Sequence, residues 1–226
     1  MHIQKNTIHI WSADIKISDE NEQHLRQILS TDENLAANKF KFPIHRKRYI
    51  AARSILRRIL SDYVQQDPEK IVFKYSEKKK PYLNSKIQFN VSHSEDLVVY
   101  AFTLEHPIGI DIEYMDADLH LDIAKRFFSK KENQLLQSLS DELRIEYFYR
   151  IWARKEALIK ATGKGFTIPI STFSVNPEKK AEQLLLDNQT WEVRPLSINH
   201  NFQTAVATYP PIEEIVFFQW QSSRIY

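Results

Sequence analysis

Residues 108 to 114 read Ile-Gly-Ile-Asp-Ile-Glu-Tyr, and this stretch tells more about the fold than any other. The three isoleucines alternate with Gly109, Asp111 and Glu113, and this period of two predicts a strand with one apolar and one polar face. Glycine within a strand is typical of a close approach by another backbone or a ligand. We therefore expect the face that carries the two carboxylates to meet one of these.

Outward from this strand, the order strand, helices, strands occurs twice. Before it, we predict strands over 9–17, 71–75, 87–91 and 97–104 and helices over 19–29 and 43–64. After it, we predict helices over 121–128, 129–139 and 141–161, then strands over 173–175, 190–194, 204–208 and 215–220. This order predicts an α+β protein. Its two similar halves, 1–105 and 106–226, would be related by a pseudo-twofold axis, with the active site at their interface.

Composition limits the classes of function. The chain has 226 residues and no cysteine, which excludes a disulfide framework, a thiolate zinc site and a cysteine nucleophile. Its 31 basic and 29 acidic residues give a net charge of only +2, which argues against a nucleic-acid-binding polycation. Basic residues nevertheless cluster between 39 and 58, which favours a local anion site. We see no signal peptide and no membrane span, and we expect a cytoplasmic protein.

Three carboxylates form the first candidate site. Asp111 and Glu113 share a strand face, and Glu156 lies on the predicted helix 141–161. Like charges brought together repel, so a divalent cation would hold them best, and Mg²⁺ prefers oxygen ligands and leaves room for substrate phosphates. The alternative is that Asp111 and Glu113 form the solvated face of an ordinary edge strand.

Basic and polar side chains could complete an anion site. Glu156 and Lys160 are four residues apart on one helix face, which fits either a surface ion pair or a metal ligand beside a phosphate-binding cation. Lys155 points to a different side of that helix. Further candidate groups are Ser92 and His93 at a strand end, Lys80-Pro81 after a charged loop, and Arg48. The chain has only three glycines, Gly109, Gly163 and Gly165, and all three lie close in sequence to these candidate residues.

The order and spacing of these motifs resemble the 4′-phosphopantetheinyl transferases. The resemblance is to the double-length type that activates nonribosomal peptide synthetases such as surfactin synthetase. It rests on Phe-Asn-Val-Ser-His-Ser at 89–94, on 108–113, on Phe-Phe-Ser at 127–129 followed by Glu132, on Trp-Ala-Arg-Lys-Glu-Ala at 152–157 through Lys160, and on Gly-Lys-Gly at 163–165.

The resemblance implies a reaction and a role for each matching residue. Coenzyme A would donate its phosphopantetheine arm to a serine of an apo peptidyl or acyl carrier protein, and 3′,5′-bisphosphoadenosine would be released. Mg²⁺ would be bound by Asp111, Glu113 and Glu156, with Glu156 also a candidate base for the serine and Lys160 near the reacting phosphate. Contacts to coenzyme A are implied for Arg48, Lys80, Pro81, Ser92, His93, Lys155 and Lys160. A chain that holds both halves of the site is expected to act as a monomer.

The chain departs from the family pattern at two places. Relatives usually carry glycine where this chain has Lys79, and they often have lysines where it has Glu33 and Ala36. Other hypotheses stay open. They are a non-catalytic module that binds coenzyme A or carrier proteins, a nucleic-acid binder that uses residues 39–58, and another magnesium-dependent enzyme acting on a nucleotide diphosphate. The acidic triad argues against the first two, and the lack of a glycine-rich phosphate loop argues against the last.

Overall fold

The computed structural model describes residues 1–118 and 122–221, with the side chain of residue 166 excepted. In chain order, the strands are β1 (Thr7–Asp14), β2 (Lys74–Tyr75), β3 (Pro81–Tyr82), β4 (Ile87–Ser94), β5 (Leu97–Leu104), β6 (Ile108–Tyr114), β7 (Glu182–Leu186), β8 (Gln189–Leu196), β9 (Phe202–Thr208) and β10 (Glu214–Gln219). The α-helices are α1 (Asp19–Arg26), α2 (Thr31–Ala37), α3 (Pro43–Val64), α4 (Asp122–Phe127), α5 (Lys130–Ser138) and α6 (Asp141–Thr162). The fold is therefore α+β, as predicted.

Two four-stranded sheets carry the two halves. The first has the order β10-β1-β5-β4, and the second has the order β6-β9-β8-β7. Neighbouring strands are antiparallel, except that β10 runs parallel to β1. The last strand of the chain thus returns to the first sheet. The division at residues 105 and 106 stays a prediction, and β10 does not follow it.

A long helix covers one face of each sheet, and each helix has a recognisable start or end. Pro43 opens α3, where its fixed φ suits a first turn and its missing N–H is not needed. Gly163 ends α6 with a φ of 70°, a left-handed conformation that glycine adopts without steric cost. No helix within residues 1–118 and 122–221 has the length and apolarity to cross a membrane.

Three apolar cores fix the arrangement. The first lies between α3 and the odd-numbered side of β1, and the second lies between α6 and the second sheet. The third lies between the two sheets, where side chains from both halves are buried together; its members include Ile8, Ile10, Val99, Ala101, Ile108, Ile110, Ile112 and Val206. The alternation in 108–114 explains this packing, because β6 gives its isoleucines to the shared core and its polar face to α6.

Several predicted boundaries changed. The strand predicted over 71–75 is reduced to β2, and the one predicted over 87–91 extends to Ser94. No strand forms over 173–175, because the chain there follows a short 3₁₀ turn and the carbonyl of Phe173 accepts a hydrogen bond from Lys155. Helix α2 and strands β3 and β7 were not predicted. The predicted start of a helix at residue 121 lies outside the described residues.

Candidate active site

The site lies where the edge strands of the two sheets meet. Strands β4 and β6 are joined by side chains of β4 rather than by a backbone ladder. The amide of Ile110 donates to Asn90 Oδ1 at 2.9 Å, and the amide of Tyr114 donates to Ser94 Oγ at 3.0 Å. Between them, Ser92 Oγ donates to Asp111 Oδ1 at 3.0 Å. Every second residue of β4 from Asn90 to Ser94 therefore contacts β6 through its side chain, and the middle one, Ser92, contacts the site residue Asp111.

Helix α6 lies directly against β6 at Gly109. A Cβ at this position would clash with the carbonyl oxygen of Ala157 and the amide nitrogen of Ala161. Glycine is therefore required by the closeness of the helix, as its place within the strand suggested. This contact brings the Glu156–Lys160 face of α6 alongside Asp111.

A lysine ammonium lies among the polar groups at this contact. Lys160 Nζ is 2.6 Å from Asp111 Oδ1 and 2.9 Å from Ser92 Oγ. Asp111 is only 2% exposed, so its carboxylate is held by this ion pair and by the serine hydroxyl. The structure thus groups Asp111, Ser92 and Lys160 from three different elements.

The remaining carboxylates are short of partners. Asp111 Oδ2 and Glu156 Oε1 are buried and accept no hydrogen bond from the described residues. Burial raises the pKa of Glu113 to about 7, and the nearby charge of Asp111 adds to this effect, while Lys160 and a hydrogen bond from Trp152 oppose it. Burial and the charge of Asp111 also raise the pKa of Glu156. The three carboxylates therefore repel one another in a partly desolvated place.

The same residues carry the oxygen groups that a hard divalent cation prefers. Among the described residues, no three His, Cys, Asp or Glu side chains are grouped closely enough to hold a metal ion. However, buried carboxylate oxygens without partners and carboxylates of raised pKa are what a cation would stabilise. The donor set contains only oxygen, which suits Mg²⁺ better than zinc.

A cleft of about 280 Å³ opens beside these groups, between the two halves. Its lining brings together several predicted residues with others from the glycine-flanked end of α6: Lys78, Lys79, Lys80, Pro81, Asn90, Val91, Glu156, Ile159, Lys160, Gly163 and Gly165. Lys79 has a φ of 61°, in the left-handed region where glycine is favoured. The replacement of the family's usual glycine is therefore accommodated, at some steric cost.

Lys80 lies in this cleft, but its ammonium is already engaged. Lys80 Nζ donates to the carbonyl oxygens of Ile108 at 2.8 Å and of Lys160 at 2.7 Å. Burial lowers its pKa to about 8, and the charge of Lys160 contributes. The side chain therefore ties the loop before β3 to β6 and to the last turn of α6.

Arg48 and His93 lie near the other end of β4. Arg48 binds Asp96 at 2.8 Å and Glu95 at 2.9 Å, both in the turn between β4 and β5. His93 is exposed, and its pKa is lowered by partial desolvation and by the positive charges of Lys160 and Arg48. The guanidinium of Arg48 is therefore already paired with two carboxylates at this end of β4.

Lys155 is not brought to the site. Its side chain has no exposed surface and pairs with Glu132 at 2.8 Å. The ammonium also donates to the carbonyls of Ile170 and Phe173. We correct its expected contact with coenzyme A on this ground: its helix face points into the second core, where the capping-box residue Glu132 neutralises it.

Two contacts in the site were not assigned from the sequence. Asn90, which fastens Ile110, belongs to the motif at 89–94 but was given no role there. The polar residues at 90, 92 and 94 share one strand face, and this alternation was the available signal. The contact of Trp152 with Glu113 joins a helix to a strand distant in sequence, so no local pattern could indicate it.

Comparison with known proteins gives matches along nearly the whole chain. Residues 107–209 match the family model described as the 4′-phosphopantetheinyl transferase superfamily. Residues 16–105 match the model described as 4′-phosphopantetheinyl transferase, N-terminal. The two matched stretches meet at residues 105–107, between β5 of the first sheet and β6 of the second.

Curated relatives agree with these matches. The 4′-phosphopantetheinyl transferase HetI of Nostoc sp. is 36% identical over 95% of this chain and 90% of its own length. The 4′-phosphopantetheinyl transferase psf-1 of Bacillus pumilus is 33% identical, covering 90% of this chain and 89% of its own. The 4′-phosphopantetheinyl transferase Sfp of Bacillus subtilis is 34% identical over 72% of each chain.

Proposed function

The chain belongs to the 4′-phosphopantetheinyl transferase superfamily, and from this membership we propose that it moves the phosphopantetheine arm of coenzyme A onto a serine of an apo carrier protein. The acceptor would be a peptidyl or acyl carrier protein, and 3′,5′-bisphosphoadenosine would be the second product. The relatives Sfp and psf-1 support the type that activates peptide synthetases.

One observation carries the proposal: Asp111, Ser92 and Lys160 meet at the junction of the halves, beside the unpartnered oxygen of Glu156. Phosphoryl-type transfer needs alignment and charge neutralisation more than covalent help from the protein. A cleft lined by lysines and by the carboxylate of Glu156 would bind a pyrophosphate and align the attacking hydroxyl.

Each group has a task that its surroundings suit. Glu156 would accept the serine proton, directly or through a water, since its buried Oε1 has no hydrogen-bond partner among the described residues. Lys160, partly exposed to the cleft, would neutralise charge that grows on the leaving phosphate. Ser92 would hold Asp111 and Lys160 in register.

Asp111, Glu113 and Glu156 would hold Mg²⁺, which when bound supplies Lewis-acid polarisation of the pyrophosphate. Lys80 would support the cleft wall through its two carbonyl contacts, with its charge close to the substrate. Arg48 and His93 would contact the 3′-phosphate at the outer end of β4, where Arg48 would exchange Glu95 and Asp96 for the phosphate.

The test is intact-mass spectrometry of an apo peptidyl carrier protein incubated with this protein, coenzyme A and Mg²⁺. We expect a mass gain of one phosphopantetheine group that disappears when a chelator is added. No gain on a peptidyl or an acyl carrier protein, despite measurable coenzyme A binding, would favour the non-catalytic binding module.

Replacing Asp111 tests whether this residue is needed for transfer. Asp111→Asn removes a charge that Lys160 and a cation would share, and we expect transfer to fall by about a hundredfold or more. The matched control is Asp141→Asn, because that side chain is 92% exposed at the start of α6. Activity of the Asp111 variant within a few-fold of the parent, measured by the same mass assay, would overturn the assignment.

A further inference from the structure

A second cavity lies in the C-terminal half, away from the cleft. Its volume is about 540 Å³, and it is bounded by the middle of α6, the loop before β7 and the loop between β8 and β9. The lining residues are Arg150, Arg154, Pro177, Glu178, Lys179, Lys180, Pro195, Leu196, Ser197, Ile198, Asn199, His200, Phe202 and Gln203. None of them lines the cleft of the proposed transfer site.

The two sites use different faces of α6. At 3.6 residues per turn, Arg150 and Arg154 lie on one row of the helix, and Glu156 and Lys160 lie on a row roughly 120° around the axis. A ligand in the second cavity would therefore not contact the groups proposed for transfer.

The inner wall of this cavity holds a buried guanidinium without an acidic partner. Arg154 is 3% exposed, and it donates to the carbonyl oxygens of Arg150 at 3.0 Å and of Lys179 at 3.2 Å. Within residues 1–118 and 122–221, no carboxylate lies at ion-pair distance from it. Burial lowers its pKa to about 10, the charge of Arg150 adds to this effect, and the charge of Glu182 opposes it. A buried charge in such a place is stabilised by an added counter-charge.

Other cations face the same cavity. Arg150 is paired with Glu146, and Lys179 is 3.8 Å from Glu182, whereas Lys180 has no ion-pair partner among the described residues. Glu178 is the one carboxylate in the lining, and it accepts a hydrogen bond from Tyr147 at 3.0 Å. The lining thus offers an excess of positive charge around an open volume.

From this arrangement we propose that the cavity binds a multivalent oxyanion of the phosphate class. Arg154 supplies a planar donor at the inner wall, and Lys180 supplies a mobile charge at the rim. Ser197 and His200 add polar groups that make no hydrogen bond within the described chain. This site is independent of coenzyme A and goes beyond the transfer reaction.

The probe is inorganic pyrophosphate, titrated without divalent cations into the full chain and followed by amide ¹H–¹⁵N shifts. We expect the amides of residues 197–203 to shift in a saturable way. Lys180→Glu should weaken this binding by about tenfold, as loss of one charge-assisted contact does, while transfer activity stays intact. Arg154→Gln should weaken it further, and its folding is checked by the unperturbed amides of the first sheet.

Two controls make the outcome decisive. Lys16→Glu makes the same change of charge at an exposed position in the other half, and it should leave the binding unchanged. Lys160→Met should remove shifts in the cleft and keep those of residues 197–203. The proposal is wrong if these amides do not respond, if Lys16→Glu weakens the response as much as Lys180→Glu, or if Lys160→Met abolishes it.

Discussion

The buried carboxyl of Glu113 lowers the stability of the folded protein when it is ionised. Its pKa rises from 4.5 to about 7 on folding, because burial and the charge of Asp111 disfavour its ionised form. The folded state therefore holds this proton more tightly than the unfolded state. The stability that Glu113 contributes is fully present below pH 4.5 and is lost as the pH rises through 7.

Glu113→Gln tests this reasoning. In chelator, the free energy of unfolding of the parent should fall between pH 5 and pH 8. That of the variant should fall by about 1–3 kcal/mol less over the same range. Urea unfolding at the two pH values measures the difference. Glu77→Gln, in an exposed turn, is the control and should keep the parent's pH dependence. An identical fall in the Glu113 variant would show that this carboxyl is not the group responsible.

The sequence alone predicts which site residues share a face of a strand or helix, but not which groups their side chains contact. Alternation in 108–114 places Asp111 and Glu113 on one face, and a spacing of four places Glu156 and Lys160 on one helix face. The engagement of Lys80 with two carbonyls and of Lys155 with Glu132 depends on contacts between distant segments. The sequence motif does not show whether a lysine ammonium is free, so neither residue could be told apart from a lysine with a free ammonium in the cleft.

At the scale of elements, the contact of α6 with β6 decides the geometry. Gly109→Ala should force the helix away from the strand, because the new Cβ would meet backbone atoms that cannot rotate aside. We expect a loss of about 3 kcal/mol or more in stability, together with loss of transfer. Gly163→Ala is the matched control, since its Cβ meets nothing within 4 Å and only its φ of 70° is strained. That change should cost about 1 kcal/mol, and thermal unfolding compares the two.

Lys80 holds the end of the same helix. Lys80→Met keeps the stem but leaves the carbonyls of Ile108 and Lys160 without this donor. We expect about 2–4 kcal/mol of destabilisation in urea unfolding, because buried carbonyls that lose a charged donor cost more than exposed ones. Lys79→Met, at the exposed neighbouring position, should change stability far less. Equal effects at the two positions would contradict the role given to the Lys80 ammonium.

Element boundaries were predictable where the pattern was regular. Pro43 to Val64, Leu97 to Leu104 and Ile108 to Tyr114 have clear periodicity and clear ends, and the structure has them as predicted. Strand β7 reads Glu-Gln-Leu-Leu-Leu, without β-branched or aromatic residues, so its pairing with β8 decides its conformation rather than local propensity.

At the scale of the whole molecule, the halves share a core and a strand. A fragment of residues 1–105 would lack β10 and would expose the side of its sheet that now faces Ile110 and Val206. We expect this fragment, expressed alone, to show no cooperative thermal transition, while the full chain melts in one step. Circular dichroism on both checks this. A cooperatively melting fragment would mean that the first half is an independent domain.

Because β10 pairs with β1, the first sheet cannot be completed until the end of the chain has been synthesised. Ribosomes release the first half of a chain long before the last strand emerges, and domains ordinarily fold as they appear. Here the edge of β1 that β10 will cover stays open until residue 219 has been made. An open strand edge is a template for pairing with other chains. Nascent copies of this protein should therefore depend on chaperones that shield such edges, and slow translation of the second half should lower the yield of folded protein.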